Sequence, residues 1–221
     1  MEKTVSIIWL GHACFKIVWQ DYTVVLDPYE DGYIPGLSPV RTTANRVFYS
    51  HNHRDHHGEG QVSLIESDRS SCEVTVINSY HDEEKGALRG ENKIHVFDDG
   101  TFRIAHLGDL GCQLTEEQIE QLKGLDVLLI PVGGYYTIDA AGAKALVDVI
   151  KPLVVIPMHY RSGDFGFDLI GKLDEYTKLC DDVKIYSKNR FVLDENTQKQ
   201  TAILTYMAES DMEQSKDDTC R

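Results

Sequence analysis

RVFYSHNHRDHHG, residues 46–58, runs an apolar, strand-like stretch directly into four histidines and an aspartate, and closes on a glycine. The chain has nine histidines in all, so seven consecutive positions hold nearly half of them. A hydrophobic core does not readily accept such a cluster, because every buried imidazole needs partners for its ring nitrogens. A strand that opens into a loop lets neighbouring side chains converge on one point. Neutral imidazole and carboxylate are ligands for zinc, and for manganese or iron at harder, oxygen-rich sites. His51 and His53, two apart, suit one ion, and the adjacent Asp55 and His56 suit a second. A solvated histidine-rich turn is the competing reading, and the preceding strand weighs against it.

Three further ligand-type residues stand at the ends of apolar stretches. His81 follows VTVINSY, Asp109 lies in HLGDLG after TFRIA, and His159 lies in VVIPMHY. Open sheets expose their ligand-binding residues beyond the carboxyl ends of strands. Taken singly, each has a plain explanation as a turn residue or a satisfied core residue. Together with the 51–57 cluster they point to a single site.

The rest of the chain reads as a sheet-rich fold. Thr4–Leu10, Ala13–Trp19 and Tyr22–Leu26 have strand character, with Gly11-His12 and Gln20-Asp21 as the turns between them. Asp27 to Asn45 holds three prolines and two glycines and reads as a long loop, a feature that often carries function. Strands are expected at Arg46–Ser50, Glu73–Ile77, Asn92–Phe97 and Thr101–Ala105. In the second half helices and buried strands alternate. Thr115 and Gln118 form a capping-box pattern, Leu125–Val132 and Leu153–Ile156 read as buried strands, and a helix capped by Thr137 or Asp139 runs to Ile150. Apolar spacing predicts a helix over Asp168–Leu179, and short strands at Lys184–Tyr186 and Thr201–Leu204 complete the set.

The length of 221 residues suits one domain with its own core. We expect that domain to span 1–207, with the polar, acidic 208–221 disordered. The formal net charge of −14 opposes attraction to nucleic acid or to anionic membrane. It leaves room for a small anionic substrate, because bound cations can make one cleft locally positive. No apolar run is long enough to cross a bilayer, and MEKTVSIIWL lacks the features of a signal peptide, so a cytoplasmic location is expected. The five cysteines are scattered with no CxxC pair, which argues for free thiols rather than a disulfide framework or a cysteine zinc site.

The HxHxDH pattern at 51–56, then His81, Asp109 and His159, resembles the metallo-β-lactamase superfamily. GHACF at 11–15, DPY at 27–29 and PVGG at 131–134 are similar to its short, single-domain hydrolases, among them the ascorbate-phosphate lactonase and phospholipase-D-type members. The resemblance implies an α/β, four-layer αββα sandwich with the site at one edge of two sheets. It implies two divalent ions, zinc first, with manganese or iron as alternatives. One ion would be held by His51, His53 and His81, the other by Asp55, His56 and His159, with Asp109 bridging. It further implies hydrolysis of a small ester, lactone or phosphodiester by a hydroxide shared between the ions, with Asp55 and Asp109 orienting it.

Around this set, Asp27 is placed to fix the tautomer of a ligand histidine, and an Asp-Pro turn is the bland reading. His12 is placed in the cleft, with a turn role competing. Tyr135, Tyr136 and Thr137 are candidates for the pocket wall. Arg161 is a candidate for meeting a substrate carboxylate or phosphate. His57 and His106 read as solvated or core-satisfied residues, with a place supporting the metal ligands as the competing reading, and His95 as a strand residue. Two other functions compete: a metal-holding regulatory protein without turnover, and a nuclease. The acidic charge and the lack of a basic, aromatic-studded stretch weigh against the nuclease.

Overall fold

A computed structural model describes residues 3–66 and 72–207. The acidic tail expected to be disordered, 208–221, lies outside the described residues.

The first sheet begins with a meander, β1 (Val5–Gly11), β2 (Cys14–Trp19) and β3 (Tyr22–Leu26). Val5, Ile7, Trp9, Phe15, Ile17 and Trp19 alternate with more exposed neighbours and point into the core, the period of a strand with one buried face. The chain continues through β4 (Thr42–Ala44), β5 (Arg46–Phe48) and β6 (Val62–Leu64). A second group follows: β7 (Glu73–Tyr80), β8 (Glu91–Asp98) and β9 (Arg103–His106). The remaining elements are α1 (Glu116–Gln121), β10 (Val127–Pro131), α2 (Ala140–Ile150), β11 (Val154–Met158), α3 (Leu173–Thr177), β12 (Val183–Tyr186), β13 (Arg190–Leu193) and β14 (Gln200–Leu204).

Two sheets face one another. The first has strand order β13-β1-β2-β3-β5, and the second β12-β14-β11-β10-β9-β8-β7. Their apolar inner faces form one core that includes Trp9, Phe15, Ile17, Phe97, Ile104 and Leu128. β10 and β11 pair in parallel and are buried along their whole length, as strands covered on both faces must be. This is the α/β sandwich that the resemblance implies. Among the described residues its helices are few, and all three lie in the second half of the chain. The other outer face is covered differently. Tyr29, Ile34, Leu37 and Val40 of the long loop pack with Cys14, Val25 and Ala44 into a second apolar cluster.

The sequence reading needs three adjustments. The helix expected over 168–179 is only α3, because Gly171 is strapped across the fold, its amide bonded to the Gly133 carbonyl and its carbonyl to the Arg161 amide. The short pair β4–β6 and the strand β13 were not anticipated. Of the two caps offered for α2, Asp139 takes the role, accepting from the Gly142 amide at 2.8 Å, while Thr137 donates to the Ile138 carbonyl. The capping box of α1 forms as read.

This topology positions the site. β9, β10 and β11 are parallel neighbours, and β7 is antiparallel to β8, which is antiparallel to β9. The carboxyl ends of β7, β9 and β11 therefore share one edge, and His81, Asp109 and His159 all emerge there. No described helix is long and apolar enough to cross a membrane.

Candidate metal centre

Asp109 stands at the middle of the gathered residues. It is buried, and its backbone amide is held by the Asn92 side chain at 2.9 Å. His81 Nε2 and His159 Nε2 lie 3.1 and 3.2 Å from its Oδ2, and His56 Nε2 lies 3.0 Å from its Oδ1. His51 Nε2 is 4.0 Å from Oδ2. Two groups flank this carboxylate. In one, ligand atoms of His51, His53 and His81 all lie within 4.8 Å of one another. In the other, Asp55, His56 and His159 do so together with His12. His51, His56 and Asp109 form a third such group between them. All seven residues of the expected set thus meet at one place, although they span more than a hundred positions of chain.

The far side of each ring explains which nitrogen faces inward. Ser50 gives its hydroxyl proton to Asp27 Oδ2 at 2.6 Å, so its oxygen accepts from His51 Nδ1 at 2.9 Å. His56 Nδ1 donates to Asp27 Oδ2 at 2.8 Å, and His81 Nδ1 to the Tyr136 carbonyl at 3.0 Å. With Nδ1 carrying the proton, each Nε2 turns a lone pair toward the centre, the arrangement that metal-ligating histidines adopt.

Several of the inward atoms have no hydrogen-bond partner. Nε2 of His12, His51, His56 and His159, together with Oδ1 of Asp109, are buried without a hydrogen bond, although imidazole and carboxylate approach to near 3 Å. Lone pairs aimed at lone pairs repel unless a cation lies between them, and buried polar atoms are seldom left unsatisfied. The donor set of imidazoles and carboxylates suits divalent zinc, manganese or iron. The residues present therefore fit a metal centre.

The electrostatics of the metal-free cluster divide: His51 and His12 are lowered by burial, while His56 and His81 are raised, against their burial, by the carboxylates beside them. Burial pulls His51 down to about 3, with His56 beside it adding to the effect. Burial likewise takes His12 down to about 4, helped by His159. These rings stay neutral and keep their lone pairs. Burial works against ionising Asp109, but His159 and His56 hold its carboxyl well below the ordinary range. Asp55 is held down in the same way, chiefly by His56 and His12. His56 is pushed upward, because Asp109, Asp55 and Asp27 outweigh its burial.

The remaining sequence candidates divide. Asp27 is fully buried; its carboxylate accepts from His56 Nδ1 and, through both oxygens, from Ser50. His12 lies in the cluster itself. The Tyr136 ring is 6.3 Å from that of Phe167, which in turn lies 5.6 Å from His12. Tyr33 of the long loop is 5.8 Å from Phe167, so that loop borders the site. Arg161 is not brought to the cluster. Its Nε donates to the Ile170 carbonyl and its side chain lines a separate cleft with Trp9 and Tyr160, because the strap through Gly171 holds it there. His106 bridges Ala13 and Gly108, and His95 packs on Phe48 and Phe97. The reading missed Ser50 and Asn92, since a lone Ser or Asn carries no spacing signal.

Residues 6–159 match the family described as the beta-lactamase superfamily domain. A UPF0173 metal-dependent hydrolase of Thermoplasma acidophilum is 28% identical over 76% of this chain and 87% of its own. A namesake from Hyperthermus butylicus is 29% identical over 81% of this chain and 93% of its own. Among solved structures, a Thermotoga maritima protein assigned to the metallo-beta-lactamase superfamily as a Zn-dependent hydrolase superposes with a TM-score of 0.71 at 31% identity. That match covers 92% of this chain and all of the other.

Proposed function

The chain belongs to the beta-lactamase superfamily domain family, and on that premise we propose that it is a dinuclear metal-dependent hydrolase of a small anionic ester, lactone or phosphodiester. Metal-dependent hydrolysis is the activity for which its relatives are named. The pairing of ions and the class of substrate are our own reading. The observation that carries it is the ring of buried, partnerless Nε2 atoms around the Asp109 carboxylate. His51, His53 and His81 would hold one ion and Asp55, His56 and His159 the other, with Asp109 as a ligand available to both. Divalent ions there supply Lewis acidity and bring the pKa of a shared water toward neutrality. Asp55, held ionised by His56 and His12, would be placed to orient a water at the site. Zinc is the first ion to test, given the name of the Thermotoga maritima protein.

A cleft of about 710 Å³ starts one residue beyond His81 and two beyond Asp109, lined by Asp82, Arg89, Gly111 and Tyr136. Its wall also carries Leu88, Leu114 and Ile119. It runs beside the histidine cluster rather than through it, and it offers room for the body of a small molecule. The Arg89 guanidinium lies over the Tyr136 ring at 5.7 Å, within reach of an anionic group on such a molecule. The acidic balance of the chain supports a small substrate over a polynucleotide.

Metal analysis followed by a panel of esters, lactones and phosphodiesters, on wild type and Asp109→Ala in parallel, tests the reading. Two ions per chain and a loss of at least about 10²-fold in kcat/KM in the variant are expected. A wild type that takes up no divalent ion, or a variant that turns over undiminished, overturns it.

A further inference from the structure

We infer that His12, at the tip of the first hairpin, is a fourth side-chain ligand of the second ion. This rests on the dinuclear reading and extends it, since none of the HxHxDH, His81, Asp109 and His159 positions includes the hairpin. Ligand atoms of His12, Asp55, His56 and His159 lie within 4.8 Å of one another, and His12 Nε2 is 3.5 Å from Asp55 Oδ2. Donors bound at about 2.1 Å to one ion sit roughly 3–4 Å apart, so closing this group around a cation needs only small shifts. The His12 and His159 ring centroids are 4.0 Å apart.

A core histidine of structural purpose looks different, and the molecule provides one. His106 is equally buried, yet one ring nitrogen meets the Ala13 carbonyl and the other the Gly108 amide. Neither ring nitrogen of His12 has a partner, although the residue is only 1% exposed. The backbone is also committed to this placement. His12 and His159 both adopt left-handed φ, at 52° and 53°, which a non-glycine residue takes up at a cost that function often explains. The His12 carbonyl accepts from the Trp9 indole at 2.9 Å and from the His159 amide at 3.3 Å. The hairpin tip is thus tied to the very residue whose ring it faces. A donor set of three imidazoles, Asp55 and the bridging Asp109 exceeds the four ligands of a closed zinc site. It favours an ion that accepts five or six, such as manganese or ferrous iron, in the second position.

The test compares full-length wild type with His12→Ala, each loaded with cobalt and, separately, with manganese. Stepwise dissociation constants come from competition with a chelator. In the variant the second ion is expected to bind about 10- to 100-fold more weakly, with the first unchanged. The visible spectrum of the second cobalt should change, and free imidazole should restore it by filling the vacated position. Unchanged second-ion affinity and an unchanged spectrum overturn the inference while leaving the dinuclear reading intact. A wild type that binds no ion removes both. Should the variant fail to fold, cadmium-substituted wild type decides by NMR. Scalar coupling between cadmium and the His12 ring protons is expected, and its absence in a spectrum that shows coupling to His56 and His159 overturns the inference.

Discussion

Asp27 illustrates how much one side chain can organise. Its fully buried carboxylate accepts the Ser50 amide and hydroxyl and the His56 Nδ1 proton. Through Ser50 it also fixes the tautomer of His51. Two ligand candidates from different groups thus depend on one acceptor. Asp27→Asn keeps the shape but offers one oxygen where two are used, and its amide nitrogen, a donor, would face a donor. We expect divalent-metal affinity to fall about 10- to 100-fold with little change in fold, measured by equilibrium dialysis beside circular dichroism. Affinity within a factor of two of wild type would contradict this. From sequence, Asp27 could only be balanced against an Asp-Pro turn, because its partners lie 23 and 29 residues away. The metal-ligand candidates were legible because histidines crowd residues 51–57 directly after a strand, and because His81, Asp109 and His159 each stand at the end of an apolar stretch. Ser50 and Asn92 were not, for such residues are common in turns and nothing in their spacing sets these two apart.

At the scale of elements, strands were read best where burial alternates or fills a whole segment. β1, β3, β10 and β11 match within a residue or two, because their apolar pattern alone determines which face is covered. The stretch 168–179 misled for the converse reason. Leu169 fits a helical stripe yet is 57% exposed, while Ile170 is buried in the strap that Gly171 makes. Helical spacing cannot reveal that a backbone is pinned elsewhere. The turn after β9 shows how tightly such connections are built. Gly108 has φ near 54°, and a Cβ there would lie 2.4 Å from both Asn92 Oδ1 and Ser50 Cβ. Since Asn92 Oδ1 holds the Asp109 amide, Gly108→Ala forces Asp109 to move. Destabilisation of about 1–3 kcal/mol, read from urea unfolding of the metal-free protein, should accompany a metal affinity at least about tenfold lower. A variant with wild-type affinity would mean that the turn tolerates the displacement.

For the molecule as a whole, nine histidines in an acidic chain make stability a function of pH. Burial lowers His12 and His95 to about 4 and His51 to about 3, and lowers His53 and His106 as well. Each such ring is neutral in the fold but protonates near pH 6.5 when unfolded. The unfolded chain then binds more protons, so stability present above pH 6.5 is lost as pH falls toward the folded value. His56 and His81 are raised and act in the opposite sense, contributing below pH 6.5 and losing that contribution as pH rises through their folded values. The lowered rings outnumber the raised ones, so chelator-treated protein should weaken steadily between pH 6.5 and 4. His95 isolates the effect, because it packs between Phe48 and Phe97 on β8, apart from the proposed ligands. Bringing its ring from pH 7 to pH 4.5 should remove roughly 2–3 kcal/mol of stability. His95→Phe cannot protonate, so whatever its stability at pH 7, its drop between the two pH values should be smaller than that of wild type by about this amount. Urea titrations at both pH values measure the difference, and equal drops in the two proteins would show that His95 takes up its proton without unfolding the sheet.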